Sequence, residues 1–294
     1  MELKGKRILI TGARGFVGAH LSRELERRGA EVIALDARGD DPADIRDWQK
    51  VRNFVSKFAK FDLVYHLAAL MFVPYSFKNP RETYEVNVLG TLNVLEICRL
   101  QNVSRVFFAS SYVYGQPKYL PVDEEHPLQP TSPYAWSKVL GENLCRAYHQ
   151  DYGLDCSILR VFNIYGEGQS DSFLIPSIAR QLPTGRIQLN DPEPRRDFVY
   201  IDDVVQSYIK VAECEGGEFE VYNIGSGASY SVNDVVTYMI EAWGQDVEVT
   251  YRQERRKGEI ENVVANIQKA KKKLGWEPLI ALPQGLARYI RRYR

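Results

Sequence analysis

The sequence predicts an α/β fold: a doubly wound parallel sheet, followed by a smaller C-terminal α/β domain. Three observations carry that expectation. Short apolar runs alternate with amphipathic helical stretches through the first half of the chain. The first run, Arg7-Ile-Leu-Ile-Thr11, leads directly into a glycine turn, Gly12-Ala-Arg-Gly15-Phe-Val-Gly18, and then into a helical pattern. Past residue 163 the alternation falters into polar, proline-rich connections such as Asn190-Asp-Pro-Glu-Pro194. The expected division is therefore a large domain of residues 1–163, rejoined by 197–225, and a smaller one of 164–196 and 226–294.

In the glycine turn, Gly12 permits the tight bend, Gly15 lets backbone N–H groups approach a pyrophosphate, and Gly18 allows close helix packing. The helix opens at Phe16 and Val17 and continues through Leu21 and Leu25 to Gly29, its dipole favouring phosphate charge. The next strand, Glu31-Val-Ile-Ala-Leu-Asp36, ends in an acid about twenty residues past the glycines, where a carboxylate can accept both ribose hydroxyls of an adenosine. That favours NAD. Arg38, two residues on, can take a 2′-phosphate and keeps NADP as the alternative.

Asp44-Ile-Arg-Asp47 precedes Trp48, Val51, Val55 and Phe58, which recur at helical spacing and read as core. Asp62-Leu-Val-Tyr-His-Leu-Ala-Ala69 reads as a buried strand with small residues at its C-terminal end, where parallel sheets meet ligands, and His66 within it reads as structural. From 80 to 101 a long helix turns Tyr84, Val88, Leu92 and Leu95 to the core, with Asn87 interrupting the pattern. The following strand, from Ser104, ends in Ser110 and Ser111 on the same sheet edge as the glycine turn.

Ser132 is a good helix N-cap and Pro133 suits the first helical position, so a helix begins there and Tyr134 and Lys138 share a face one turn apart. An ammonium beside a phenol favours the phenolate, which makes Tyr134 a candidate base. Tyr114 and Lys118 have the same spacing, but Gly115 and Pro117 break any helix between them. Beyond lie a strand ending at Asn163, a helix over 173–182, a helix to about residue 213, a strand over 220–225 and a helix over 232–243. Arg252, Arg255, Arg256 and Lys257 read either as a solvated face or as a bidentate clamp for a diphosphate, and Lys269 to Lys273 as an exposed helix face.

The bulk numbers exclude whole classes of function. Of 294 residues, 38 are Lys or Arg and 38 are Asp or Glu, so no overall field recruits nucleic acid or an anionic membrane. The four cysteines are widely spaced without C-x-x-C, which argues against a zinc site or a disulfide framework and fits a reducing cytoplasm. No apolar run reaches the length of a membrane span and no leader pattern opens the chain.

Thr11-Gly-Ala-Arg-Gly-Phe-Val-Gly18, His66-Leu-Ala-Ala69, Asn87, Ser110-Ser-Tyr-Val-Tyr-Gly115, Tyr134-x-x-x-Lys138, Leu159-Arg-Val-Phe-Asn163, Arg196-Asp-Phe-Val-Tyr-Ile-Asp-Asp203 and Tyr222-Asn-Ile-Gly225 stand in one order, within a likeness that runs from about residue 6 to 278. Together they resemble the extended short-chain dehydrogenase/reductase family, and within it the nucleotide-sugar epimerases and dehydratases. The resemblance implies a Rossmann domain binding NAD and a smaller domain gripping a nucleoside diphosphate sugar. It places a catalytic trio on Ser110, Tyr134 and Lys138, with Ser110 also touching substrate. It implies cofactor contacts at Gly12, Gly15, Phe16, Val17, Gly18, Asp36, Arg38, Asp44, Ile45, Leu67, Ala68, Ala69, Asn87 and Phe162, besides Tyr134 and Lys138. Asn163, Arg196 and Arg256 match positions that hold the nucleotide diphosphate, and the family's habit implies a homodimer through helices near 81–101 and 134–150.

Departures from the family pattern narrow the reaction. The 4,6-dehydratases place acids in the two positions after the catalytic hydroxyl, whereas Ser111 and Tyr112 stand here. The reaction implied is C4 epimerization of the UDP-glucose/UDP-galactose type. Leu189 to Asp197 lacks the Gly-Asp-Gly common in epimerases, so an NAD(P)H-dependent reductase of a nucleotide 4-keto-6-deoxy sugar is the alternative.

Overall fold

The computed structural model describes residues 2–39, 42–254 and 259–293, so the expected diphosphate ligand Arg256 lies outside the described residues. In chain order, β1 (Arg7–Thr11), α1 (Phe16–Arg27), β2 (Glu31–Leu35), α2 (Trp48–Val55) and β3 (Leu63–His66) open the fold. Helices α3 (Val73–Lys78) and α4 (Pro80–Tyr84) follow, then a π-helical turn over Glu85–Leu89, α5 (Gly90–Leu100) and β4 (Arg105–Ser111). Helix α6 (Pro133–Tyr152) leads to β5 (Asp155–Val161) and β6 (Asn163–Tyr165). The remainder is α7 (Leu174–Gln181), β7 (Arg186–Leu189), β8 (Arg195–Arg196), β9 (Phe198–Tyr200), α8 (Ile201–Glu213), β10 (Phe219–Ile224), β11 (Tyr230–Ser231), α9 (Val232–Trp243), β12 (Glu248–Tyr251), α10 (Gln268–Leu274) and α11 (Leu282–Ile290).

The helix starts follow their capping chemistry. Asp47 accepts the backbone N–H of Lys50 at the head of α2. Ser132 accepts that of Ala135 at the head of α6, where Pro133 takes the first helical position. Ser231 and Asp234 form a reciprocal capping box on α9.

Among the described residues, six strands form the main sheet in the order β10-β5-β4-β3-β1-β2. The chain runs outward from β1 to β2 and then crosses to the other side of β1, so the switch in direction lies between β1 and β3. In register, Thr11 stands beside His66 and His66 beside Phe108. The C-terminal ends of β1, β3 and β4 thus share one edge.

The chain divides into two compact units, one of residues 1–115, 127–161 and 205–222, the other of 116–126, 162–204 and 223–294. The core of the first is built around Leu9, Val64, Leu95, Val106, Phe108 and Ile158. Residues 116–126 lie in the second unit because Val122 donates to the Val264 carbonyl at 2.8 Å and accepts from Asn266 at 2.7 Å. Residues 197–204 also lie there, since β9 pairs with β6. Asp197 is the second unit's buried hub: its carboxylate accepts the backbone N–H groups of Ser226, Gly227 and Ala265. A further parallel pair, β7 with β12, is too short and too half-exposed to stand out in the sequence.

The helix expected over 80–101 is present but contains a π-helical turn. The wider turn rotates the buried face, so Asn87 and Leu95 are buried while Leu92, expected in the core, is exposed.

Candidate active site

The glycine turn is built so tightly that side chains are excluded. Gly12 has φ +70°, and a Cβ there would lie 2.8 Å from the Ala68 backbone; a Cβ at Gly18 would lie 2.2 Å from the Gly12 carbonyl oxygen. Helix α1 opens on Gly15 with no side-chain cap and no acidic residue in its first turn, an arrangement that suits an anion. At the end of β2, buried Asp36 accepts the backbone N–H groups of Arg14 and Arg38, each at 3.0 Å, and Arg38 Nε at 3.3 Å. Two backbone donors fix this carboxylate at the strand end, where a ribose diol would meet it. These residues fit an NAD dinucleotide.

Around that turn, Asp44 pairs with Arg46, whose guanidinium holds its carboxyl below the usual range. Buried Ile45 offers its carbonyl to Asn93 at 2.8 Å. Asn87 clamps the stretch after β3 that holds Leu67, Ala68 and Ala69: it exchanges hydrogen bonds with the Leu70 backbone and donates to Ser137 Oγ at 2.8 Å. The π turn that spoils the helical pattern therefore aims a functional side chain. His66 bridges Thr11 and Thr91, and burial with the nearby Lys138 charge takes it down to about 3. It is a structural imidazole.

Tyr134 and Lys138 stand on α6 over this edge, the ammonium 6.0 Å from the phenol ring centre. Lys138 Nζ donates to the Ala109 carbonyl at 2.8 Å, and burial lowers it to about 8 while the Glu142 charge opposes the fall. Burial raises the Tyr134 phenol, and a hydrogen bond from Ser111 works against that rise. Ser110 donates to Glu142 Oε1 at 2.5 Å. Successive residues of a strand face opposite ways, so only one of two adjacent serines can face a given partner.

Two residues of this surround escape sequence reasoning, Glu142 and Arg160. They form a buried ion pair, 2.6 Å from Nη2 to Oε2. A signal for it exists: Glu142 lies one turn beyond Lys138, and Arg160 is a charge inside an apolar strand, which burial permits only with a partner.

In the second unit, Phe162 is buried with its N–H on the Ile224 carbonyl. Asn163 Nδ2 donates to the Asp197 carbonyl at 3.2 Å. Arg196 donates to the Ile260 carbonyl at 2.6 Å and pairs with Glu259.

Comparison with known proteins agrees with this geometry. The profile of the NAD dependent epimerase/dehydratase family matches residues 8–225. A Methanocaldococcus jannaschii protein provisionally named a UDP-glucose 4-epimerase is 36% identical over 96% of this chain and 97% of its own. The GDP-6-deoxy-D-mannose reductase of Pseudomonas aeruginosa is 31% identical over 96% of this chain and 95% of its own. The crystal structure of the Thermotoga maritima UDP-glucose 4-epimerase with UDP-glucose superposes with a TM-score of 0.92 at 30% identity, covering 98% of each chain. With its glycine turn, strand-end acid and Tyr134–Lys138 pair on one sheet edge, the chain belongs to the NAD dependent epimerase/dehydratase family.

Proposed function

We propose that the protein is an NAD-dependent 4-epimerase of a nucleoside diphosphate sugar, of the UDP-glucose/UDP-galactose type. The observation that carries this reading is Tyr134 and Lys138 at the glycine-turn edge with no carboxylate in the two positions after Ser110, where Ser111 and Tyr112 stand. Carboxylates there are needed to move protons at C5 and C6; C4 epimerization needs only a hydride site.

The glycine turn and Asp36 would hold NAD, which would supply the hydride acceptor and donor for sugar C4. Tyr134 removes the proton from the 4-hydroxyl as a phenolate and gives it back after the sugar has turned its other face. Lys138 holds the phenolate by its charge, and Ser110, at the end of β4, hydrogen-bonds the same substrate oxygen. Asn163 and Arg196 hold the diphosphate, Arg by bidentate donation. Arg256 has the same proposed role and lies outside the described residues.

The 4-keto reductase reading has two observations in its favour, the absence of Gly-Asp-Gly from residues 189–197 and the 31% identity to the GDP-6-deoxy-D-mannose reductase. The two readings separate by incubating the purified protein, without added cofactor, with UDP-, GDP-, CDP- and dTDP-sugars and scoring C4 inversion by NMR. Inversion without added cofactor supports the epimerase; turnover of 4-keto sugars only with added NAD(P)H supports the reductase.

The acting species is a homodimer. An apolar stripe of Leu89, Leu92, Leu100, Trp136 and Leu140 lies exposed on the helices of the first unit, more than an isolated surface residue would explain. Four free thiols suit a reducing compartment, the cytoplasm. No helix among the described residues is long and apolar enough to cross a membrane.

A further inference from the structure

A chain of buried hydrogen bonds runs behind the glycine turn, from the backbone of Ala68 to that of Asn87. The Ala68 N–H donates to Thr11 Oγ1 at 3.2 Å. Thr11 Oγ1 lies 2.7 Å from His66 Nδ1, and His66 Nε2 lies 2.9 Å from Thr91 Oγ1. Thr91 Oγ1 donates to the Asn87 carbonyl at 2.6 Å. Thr11, His66, Thr91 and Asn87 are each at most 2% exposed.

Counting protons fixes the direction of every link. A threonine hydroxyl has one proton, and that of Thr91 goes to the Asn87 carbonyl, so Thr91 can only accept from the ring. His66 Nε2 therefore carries a hydrogen. Burial with the nearby Lys138 charge keeps the imidazole neutral, so Nδ1 is bare and accepts the Thr11 proton, while a Thr11 lone pair takes the Ala68 N–H. With the hydrogen on Nδ1 instead, the Thr11 proton has no acceptor among the described residues, and a buried donor without a partner is costly.

The chain joins three stretches that the cofactor reading places against NAD. Thr11 precedes Gly12, where a Cβ would lie 2.8 Å from the Ala68 backbone. At the far end, Asn87 accepts the Leu70 N–H at 2.8 Å and donates to the Leu70 carbonyl at 3.0 Å. We propose that His66, with its hydrogen on Nε2, is a positioning residue of the cofactor site, coupling the glycine turn to the π turn of Asn87 so that the stretches meeting NAD are set as one unit. This rests on the reading of the glycine turn as the NAD site, but the direction of the chain does not depend on it.

The test reads the tautomer and the hold on NAD separately, in the full chain. Long-range proton–nitrogen NMR at neutral pH distinguishes the two neutral tautomers and the cation. His66→Gln, or the same change at His20, His126 and His149 in turn, picks out the His66 signals among the four histidines. The hydrogen is expected on Nε2; a hydrogen on Nδ1, or on both nitrogens, overturns the proposal. The hold on NAD is read as its release from the purified protein, chased with excess ADP-ribose. Thr91→Val removes the acceptor of Nε2 while keeping the shape of the side chain, and should speed release about tenfold, the effect of one partner lost inside the protein. Thr91→Ser keeps the hydroxyl and should release NAD within about twofold of the wild type, whatever either change does to Tm. Equal release from the two variants reduces His66 to a packing residue and overturns the positioning role. Should Thr91→Val not fold, the wild-type tautomer still decides. A wild type that carries no NAD and takes none up defeats the cofactor reading alone. Hydrogen exchange at the Leu70 amide, which Asn87 holds, then replaces release: faster exchange in Thr91→Val than in Thr91→Ser supports the coupling, and equal exchange overturns it.

Discussion

Lys138 carries an ammonium into the protein interior, where it is 4% exposed and sits between the rings of Phe108 and Tyr134. Burial lowers it to about 8, so it is largely charged at neutral pH and loses that charge in mild alkali. Burial pushes the Tyr134 phenol the opposite way, toward staying protonated. In the proposed mechanism the base therefore depends on its neighbour's charge. Lys138→Met removes it, raises the phenol further and should move the acid limb of kcat/KM upward by about one pH unit or more. An unmoved limb would detach Lys138 from the base. Tyr134→Phe should lower kcat by about 10²–10⁴-fold while nucleotide-sugar binding, measured by calorimetry, persists.

His66 is governed by the same physics with a different consequence. Its folded value, about 3, lies below the ordinary value, so at acid pH the unfolded chain binds the extra proton first. Its contribution to stability is complete above about pH 6.5 and is lost as pH falls toward 3, by up to about 1.4 kcal/mol per pH unit. His66→Gln should be less stable at pH 7 but lose less on acidification, in thermal melts from pH 4 to 7.5. Equal acid sensitivity in both proteins would place the effect elsewhere.

At the scale of elements, the approach of α6 to β4 sets the site. Gly141 faces Phe108 so closely that a Cβ would lie 2.5 Å from the ring tip. The missing side chain lets Lys138 reach the Ala109 carbonyl and Glu142 reach Ser110. Gly141→Ala must shift the helix or the ring. Overpacking of this kind costs about 1–3 kcal/mol, so a lower Tm and a fall in kcat should appear together. Native turnover in this variant would show that the spacing has slack. Sequence periodicity made α6 legible from Ser132-Pro133 onward, but it assigned Gly141 no role, because its neighbour Phe108 lies more than thirty residues away. In the same way it read Asn87 as an interruption, and the π turn turns that interruption into the clamp on Leu70 and Ser137.

For the whole molecule, the exposed stripe on the first unit's helices is the feature that asks for a partner. Leu140 is 41% exposed and Trp136, one turn before it, 49%. Leu140→Glu places a charge in the proposed dimer contact and should shift sedimentation from dimer to monomer, with thermal stability becoming independent of concentration. A monomeric wild type would remove the dimer from the proposal. The second unit depends on a different kind of cohesion. Asp197, held above the usual carboxylate range by burial in spite of its donors, gathers Ser226, Gly227 and Ala265 by hydrogen bonds across some seventy residues of chain.

Local chemistry was enough to reveal the parallel α/β sheet, the glycine turn with Asp36, and the Tyr134–Lys138 pair, because each is a short-range pattern: strand, turn and helix face are set by neighbours within a few residues. The partner of each serine was not legible. Ser110 and Ser111 are chemically identical neighbours, and the Ser110 bond to Glu142 depends on the register of β4 against β5 and on a carboxylate supplied by α6. Buried charge needs a partner supplied from elsewhere in the chain, and only folding brings Glu142 and Arg160 together beneath Ser110.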